Sequence, residues 1–396
     1  MLELDCGLAY DSSRSKEFCA SLPPLPAIVK ILPRAELENS RAYLIRTGNL
    51  RLRMERLLGP RDPSDATAAK RLDLRNIAAQ IRYRLAGSPF ELAFVHWQQA
   101  RQIDPQNYRD RLRMRSPALI KMTVGNAYPR CLVTRIIRAN EEGKITGGLY
   151  FGPMPSRRAA DAFASEFLNL FKIRRCQIKI RRDPSFPGCI YSEMKMCMAP
   201  CFAGCTDEEY AGESARVENF LKSCGASLQD EVESEREAAS AAEEFEKAAA
   251  LHKRLDKIAD VLRGLPEIAR PIDQLDAVVL QRAAGPDAIA VFVVRAGSIE
   301  EPFLLRFNQT ADPRSAEEVL REKLGAANGD STPSASENQI SGANSREERG
   351  PLADHLALLG RWFYSKPRAG EIFFREKDWP YRKLIRACAR LLQPAS

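Results

Sequence analysis

Cys176, Cys189, Cys197 and Cys201 follow one another at the spacing Cys-x12-Cys-x7-Cys-x3-Cys. Four thiolates that converge from one segment hold a metal: the set suits a tetrahedral zinc ion or an iron–sulfur cluster, and spacing alone does not separate the two. A fifth thiol, Cys205, stands four residues past Cys201 and competes for the assignment. The segment also carries Arg174, Arg175, Lys179, Arg181 and Arg182. Guanidinium groups match phosphate oxygens in geometry and charge, so Arg174, Arg175, Arg181 and Arg182 are candidate DNA contacts beside the thiolate site.

The elements that position these groups are bounded first by composition. The chain has 396 residues, enough for several domains each with its own core. No apolar run approaches the roughly 20 residues that span a bilayer, and a start containing Asp5 and Asp11 does not read as a signal peptide. The expectation is a cytoplasmic protein with no membrane partner. In that reducing compartment clustered cysteines serve as ligands, while Cys6, Cys19, Cys131, Cys224 and Cys388 read as small core residues. The net charge of +8 conceals an asymmetry: residues 1–200 hold 34 Lys and Arg against 19 Asp and Glu, whereas residues 201–264 hold 8 against 15. The first half is therefore the side for a polyanion such as double-stranded DNA.

Patterning divides the chain into segments 1–115, 116–225, 226–265 and 266–396 and predicts an α+β multidomain protein. The first segment reads as strands Ala27–Ile31 and Arg41–Ile45 followed by helices Leu50–Leu58, Ala68–Leu85 and Phe90–Arg101. The second opens with strands Leu119–Val124 and Arg130–Ile137, turns at Gly147-Gly148, and enters a helix from Ser156, a fitting N-cap, to Leu170. Residues 227–264 read as one long helical pattern whose stripe includes Phe245, Leu251, Leu255 and Ile258. A helix that polar requires a hairpin partner or another protein to cover its stripe. A β-meander follows at Asp276–Gln281, Ile289–Arg295 and Phe303–Phe307. Residues 325–350 are poor in apolar groups and predict a disordered loop, and helices Leu352–Tyr364 and Pro380–Leu392 close the chain.

The run Tyr150-Phe151-Gly152-Pro153-Met154-Pro155-Ser156, then Arg175-Cys176, Gly188-Cys189-Ile190-Tyr191, Cys197-Met198-Ala199-Pro200-Cys201 and Glu209-Tyr210, resembles the central region of UvrC, the C component of the excinuclease ABC of bacterial nucleotide excision repair. The stretch from Glu243 to Ile258 is similar to the family's UVR motif, a helical hairpin that meets UvrB, the B component of the same excinuclease. The resemblance implies that Cys176, Cys189, Cys197 and Cys201 hold a 4Fe-4S cluster, with zinc as the alternative, and that Phe245, Leu251 and Leu255 contact UvrB.

The first segment more weakly resembles the family's GIY-YIG nuclease domain, and its departures fall at the chemistry. Val29 replaces the first motif tyrosine. The run from Tyr43 to Arg53 keeps the second tyrosine and the catalytic-type arginine, with Arg46 and Arg51 as further DNA contacts. The tyrosine expected after Arg53 is Leu57, and the final asparagine is displaced to Asn107. His96 falls where a glutamate holds the divalent metal, and a neutral imidazole is a poor ligand for hard magnesium; Glu91 lies off the same helical face. No RNase H-like or helix-hairpin-helix region is seen. Two readings follow: a repair factor that binds DNA and UvrB and whose nuclease is lost or weak, or a single-site endonuclease working through Tyr43, Arg53, Mg2+ and an unrecognised carboxylate.

Overall fold

The computed structural model describes residues 2–35, 41–60, 72–140, 144–307, 315–325 and 350–393. The loop expected at 325–350 lies, but for its two end residues, outside them. Among the described residues no helix is long and apolar enough to cross a membrane.

The first segment forms β1 (Cys6–Ala9), α1 (Ser15–Ser21), β2 (Ala27–Pro33), β3 (Tyr43–Thr47), α2 (Leu50–Leu58), β4 (Ala78–Leu85), α3 (Pro89–Ile103) and α4 (Tyr108–Arg111). Its antiparallel sheet has the order β1-β4-β2-β3. The helix expected over Ala68–Leu85 is overturned: residues 78–85 are an interior strand, and residues 68–71 lie outside the described part. Ile81 and Tyr83 are buried on either side of exposed Arg82, a period of two that fits a strand with neighbours on both edges. Caps fix the helix starts. Asn49 accepts from the Leu52 amide at α2, and Ser88 accepts from the Glu91 amide at α3. The Glu91 carboxylate in turn accepts from the Gly87 amide at 2.9 Å, in the manner of a capping box.

The second segment supplies β5 (Ala118–Met122), β6 (Cys131–Thr134), the small ribbon of β7 (Arg138–Ala139) and β8 (Ile145–Thr146), β9 (Leu149–Met154), α5 (Arg157–Leu168), α6 (Ile190–Glu193) and α7 (Asp207–Lys222). A sheet of order β10-β9-β5-β6 forms when β10 (Arg270–Pro271) joins from further along the chain. Ser156 caps α5 as expected, accepting from the Ala159 amide. Phe151, Phe163, Phe167 and Phe220 form a continuous chain of ring contacts between the sheet, α5 and α7.

The single helix expected over 227–264 is two helices, α8 (Ala226–Ala241) and α9 (Phe245–Arg263), with Glu243 at φ +57° in the break. The physical reason is coverage. Leu228, Val232 and Ala239 of α8 and Ile258 and Val261 of α9 are buried, which one uninterrupted polar helix does not achieve. Leu251 and Leu255 are half-buried against the same core.

The last segment places β11 (Ala277–Arg282), β12 (Ala288–Arg295), β13 (Ser298–Ile299), β14 (Phe303–Arg306), α10 (Ala316–Gly325), α11 (Pro351–Phe363), β15 (Glu371–Phe374) and α12 (Tyr381–Leu392) around one antiparallel sheet. The three predicted strands are present within one or two residues, and Ala296 and Gly297 turn with φ +45° and +79°. Both central strands are apolar on both faces because both are covered. Val278 and Leu280 meet the α10–α12 core, while Ala277 and Val279 meet α11 and, unexpectedly, α3. Phe90 and Phe94 of α3 pack edge-on against Phe292 at 4.9 and 5.6 Å, so the first and last segments share one core.

That shared core holds two ionisable groups side by side, Asp354 buried and His355 half-buried. Asp354 accepts from Trp97 Nε1, from the Tyr108 hydroxyl, and from Arg109 Nε at 2.8 Å and Nη2 at 3.2 Å. His355 Nδ1 accepts the Ile299 amide at 3.1 Å, and its ring sits 4.8 Å edge-on from Trp97. Burial, the largest cause, with Arg101 assisting and Asp354 opposing, depresses the His355 pKa to about 4. A depressed histidine pKa favours the neutral folded form, so its contribution is complete above the ordinary value of 6.5 and is lost as pH falls toward 4. We expect urea-derived stability to drop by about 3 kcal/mol over that window from this group. His355→Asn, whose side-chain oxygen replaces Nδ1 as acceptor, flattens the drop; an equally steep loss in the variant would assign the effect elsewhere.

Candidate metal centre and nucleic-acid interface

The cysteine segment leaves α5 without regular structure and is held by specific bonds. Cys189 caps the short α6: its amide donates to Ser192 Oγ at 3.0 Å, and that hydroxyl donates back to the Cys189 carbonyl. Cys197 Sγ accepts the Ala199 amide at 3.3 Å. Cys201 is buried in a single 3-10 turn between Ala199 and Ala203, both in the left-handed region at φ +57° and +59°. These bends turn the chain around a centre, and Cys176, Cys189, Cys197 and Cys201 all line one cavity of about 210 Å³ with Arg175, Ile180 and Tyr191. Cys205 does not line it and belongs to the neighbouring hydrophobic core. Sequence spacing had left that fifth thiol open.

Electrostatics at the cavity favour a cation. Burial raises the Cys197 thiol to about 11 against the help of the Ala199 amide, and the other three thiols add to the rise. Thiols gathered at one cavity ionise together only when positive charge compensates them. Among the described residues no group of three or more His, Cys, Asp or Glu side chains is drawn tightly enough together to hold a single metal ion. The four cysteines nevertheless line one and the same cavity.

The arginines around this centre are used differently from the sequence expectation. Arg174 is buried, with its guanidinium on the carbonyls of Tyr128 at 3.0 Å and Ile178 at 2.8 Å. Arg182 binds the Cys205 carbonyl at 2.7 Å and the Asp207 carboxylate. Arg175 donates to Asn169 Oδ1, and Arg51 in the first segment donates to the Leu22 carbonyl. Each carbonyl of an irregular segment needs a donor, and these guanidiniums supply several, which takes Arg174 and Arg51 away from DNA. Arg46 and Arg181 remain exposed. Arg130, which the sequence reading passed over, completes the brace by donating to the Cys176 carbonyl at 3.2 Å. Tyr210 does the same from α7, accepting the Arg174 amide and donating to the Pro129 carbonyl. A lone arginine at a strand start carries no sequence signal for that role.

The nuclease-like residues are divided between two places. Tyr43 and Arg53 line a cavity of about 560 Å³ with Arg56, Leu57 and Leu72. His96 does not line it; burial first, then Arg46 and Arg111, hold the imidazole down at about 4. Two cations thus face the position that the resemblance gives to a metal-binding carboxylate. Val29 is a core residue, and Glu91 is engaged in the α3 cap.

Of the expected partner contacts on α9, Phe245 stands at the hairpin tip with 70% of its surface exposed, whereas Leu251 and Leu255 turn toward the core.

Residues 118–222 match the model of the UvrC/Cho excinuclease middle domain. The chain is 27% identical over 285 residues to UvrABC system protein C of Alcanivorax borkumensis, covering 72% of this chain and 44% of that protein. It is 30% identical over 175 residues to the Ruegeria pomeroyi protein of the same name, covering 43% and 28%, and 30% identical over 177 residues to the one from Oleidesulfovibrio alaskensis, covering 45% and 24%. The chain thus spans less than half the length of these relatives. No solved structure matches it. The matched interval begins at the first strand of the middle sheet and ends with α7, enclosing all four cavity cysteines, so it is the part of the chain between these bounds that is similar to the UvrC/Cho excinuclease middle domain.

Proposed function

We propose that this protein is a DNA-binding factor of nucleotide excision repair whose middle domain is organised by a 4Fe-4S cluster and whose α8–α9 hairpin docks on UvrB. The observation that carries the reading is the convergence of Cys176, Cys189, Cys197 and Cys201 on one cavity inside the family-matched interval. Four cysteines on one cavity provide the ligand set that such a cluster takes. When bound, the cluster supplies a cross-link among four points of an otherwise irregular segment. The chain's own residues do the rest: Arg130, Arg174 and Arg182 fix the carbonyls around it, and Tyr210 ties it to α7. The excess of basic residues in the first half, with Arg46 and Arg181 exposed, supports a DNA partner.

Nuclease activity is lost or weak in this reading, because a neutral imidazole flanked by two arginines stands where a hard cation needs carboxylate oxygen. The alternative, a single-site endonuclease using Mg2+, draws on one observation, the shared cavity of Tyr43 and Arg53.

Three measurements test these statements. Anaerobically purified protein is expected to contain about four irons with the broad visible absorption of a cluster, and Cys197→Ser to lose both; stoichiometric zinc without iron would overturn the assignment. With UvrB, magnesium or manganese and a lesion-bearing duplex, no incision above background is expected, and a clean 3′-side nick abolished by Arg53→Ala would establish the endonuclease instead. Phe245→Ala should weaken the complex with UvrB by about 1–3 kcal/mol as an exposed aromatic anchor; equal affinity of both forms would place the contact elsewhere.

A further inference from the structure

We propose that the junction between the middle sheet and α11 is a groove that grips the phosphodiester backbone of DNA, a site separate from the cysteine centre. The inference rests on the DNA-binding reading above and locates it. A cavity of about 400 Å³ opens where Arg113 and Arg115 of the connection into β5, Arg135 just past β6, and Arg361 of α11 converge beside the Ser156 turn that starts α5. Four arginines from three separate elements line one space, and no Asp or Glu lines it.

Lack of a partner distinguishes these four from many of the chain's other arginines. Arg109, Arg174, Arg182, Arg216 and Arg295 all end on carboxylates or carbonyls. Arg113, Arg115, Arg135 and Arg361 are exposed, and among the described residues none has a hydrogen-bond or ion-pair partner on its side chain. Like charges gathered without counter-ions repel, and an incoming polyanion converts that repulsion into attraction. The adjoining helix end agrees in sign. Ser156 Oγ satisfies the Ala159 amide, the amides of the first two helical residues remain open, and the first turn of α5 carries Arg157 and Arg158 with no acidic residue. That arrangement opposes the usual preference for negative side chains at a helix start and suits an external anion.

The lining also indicates what is recognised. Arginine forks match phosphate oxygens bidentately, and charges spread over three elements fit successive phosphates better than one compact anion. No Asn or Gln lines the cavity, and the Tyr364 hydroxyl is already given to the Pro153 carbonyl at 2.7 Å. The amides that read adenine and the carboxylates that read cytosine are both missing from the lining, which leaves its arginines to phosphate oxygens or to guanine edges.

The test is fluorescence anisotropy of the full chain on a labelled mixed-sequence duplex through a sodium chloride series. In Arg113→Gln/Arg115→Gln/Arg135→Gln/Arg361→Gln, affinity at low salt should fall about tenfold or more and the log–log salt slope should become shallower by about 3.6, at about 0.9 per phosphate released. Thermal melting checks the fold; should the fourfold variant fail it, Arg135→Gln/Arg361→Gln should show about half that change in slope. A folded variant with unchanged affinity and slope would overturn the groove while leaving DNA binding intact. A wild-type chain without salt-dependent duplex binding would instead overturn the DNA-binding reading itself. Inorganic phosphate or a mononucleotide displacing the duplex at equal phosphate concentration would reassign the groove to a small anion.

Discussion

A nearly dry carboxylate holds the first and last segments of this chain together. Asp354 is 3% exposed, and an unpaired charge at that depth would cost more than most single contacts return. Its oxygens are instead met by Trp97, Tyr108 and two nitrogens of Arg109, all from α3 and α4, while Asp354 itself belongs to α11. The arrangement works only if α3 lies against the sheet of β11 and β12, which fixes the placement of Phe90, Phe94 and Phe292 in the shared core. It also fixes α11, which presents Arg361 to the middle sheet about seven residues, or two turns, further along. One buried charge pair therefore sets the register between the first segment and the surface proposed to meet DNA.

In the middle domain the same demand for paired polar groups operates around sulfur. The cysteine segment has almost no secondary structure to satisfy its own backbone, so its carbonyls are met by Arg130, Arg174 and Arg182 and its amides by Tyr210, Ser192 and Cys197. Basic residues that look like a phosphate-binding run in the sequence are partly consumed as internal braces. The division of labour is physical: guanidiniums close to irregular backbone turn inward, and those at the domain junction stay available.

Much of this was legible from residue types and spacing. Ser156 and the run from Leu50 to Leu58 announced their helices, and the apolar runs of β11 and β12 announced their strands. The cysteine set pointed to one centre, and the structure separated Cys205 from it by placing that thiol in the core. What resisted reading were matters of partnership. Residues 78–85 carry arginines at positions that suit a helix as well as a strand, and only their place between β1 and β2 decides. The break at Glu243 follows from the need to fold α9 back on α8, and the two faces of α3 give no hint in sequence that one belongs to a sheet almost 200 residues away. Charge likewise does not reveal which carbonyl an arginine will meet.

The α8–α9 hairpin has a mechanical consequence. Its helices are anchored in the core near Ile258 and Val261, while Phe245 lies at the free end, 13 residues before Ile258, which is roughly 20 Å along the helix axis. Helices are stiff over that length, so the hairpin acts as a rigid strut with its one large apolar handle at the tip. A protein gripping that handle is tethered without a flexible linker and explores a small volume around the middle domain, which raises its effective local concentration without adding a contact.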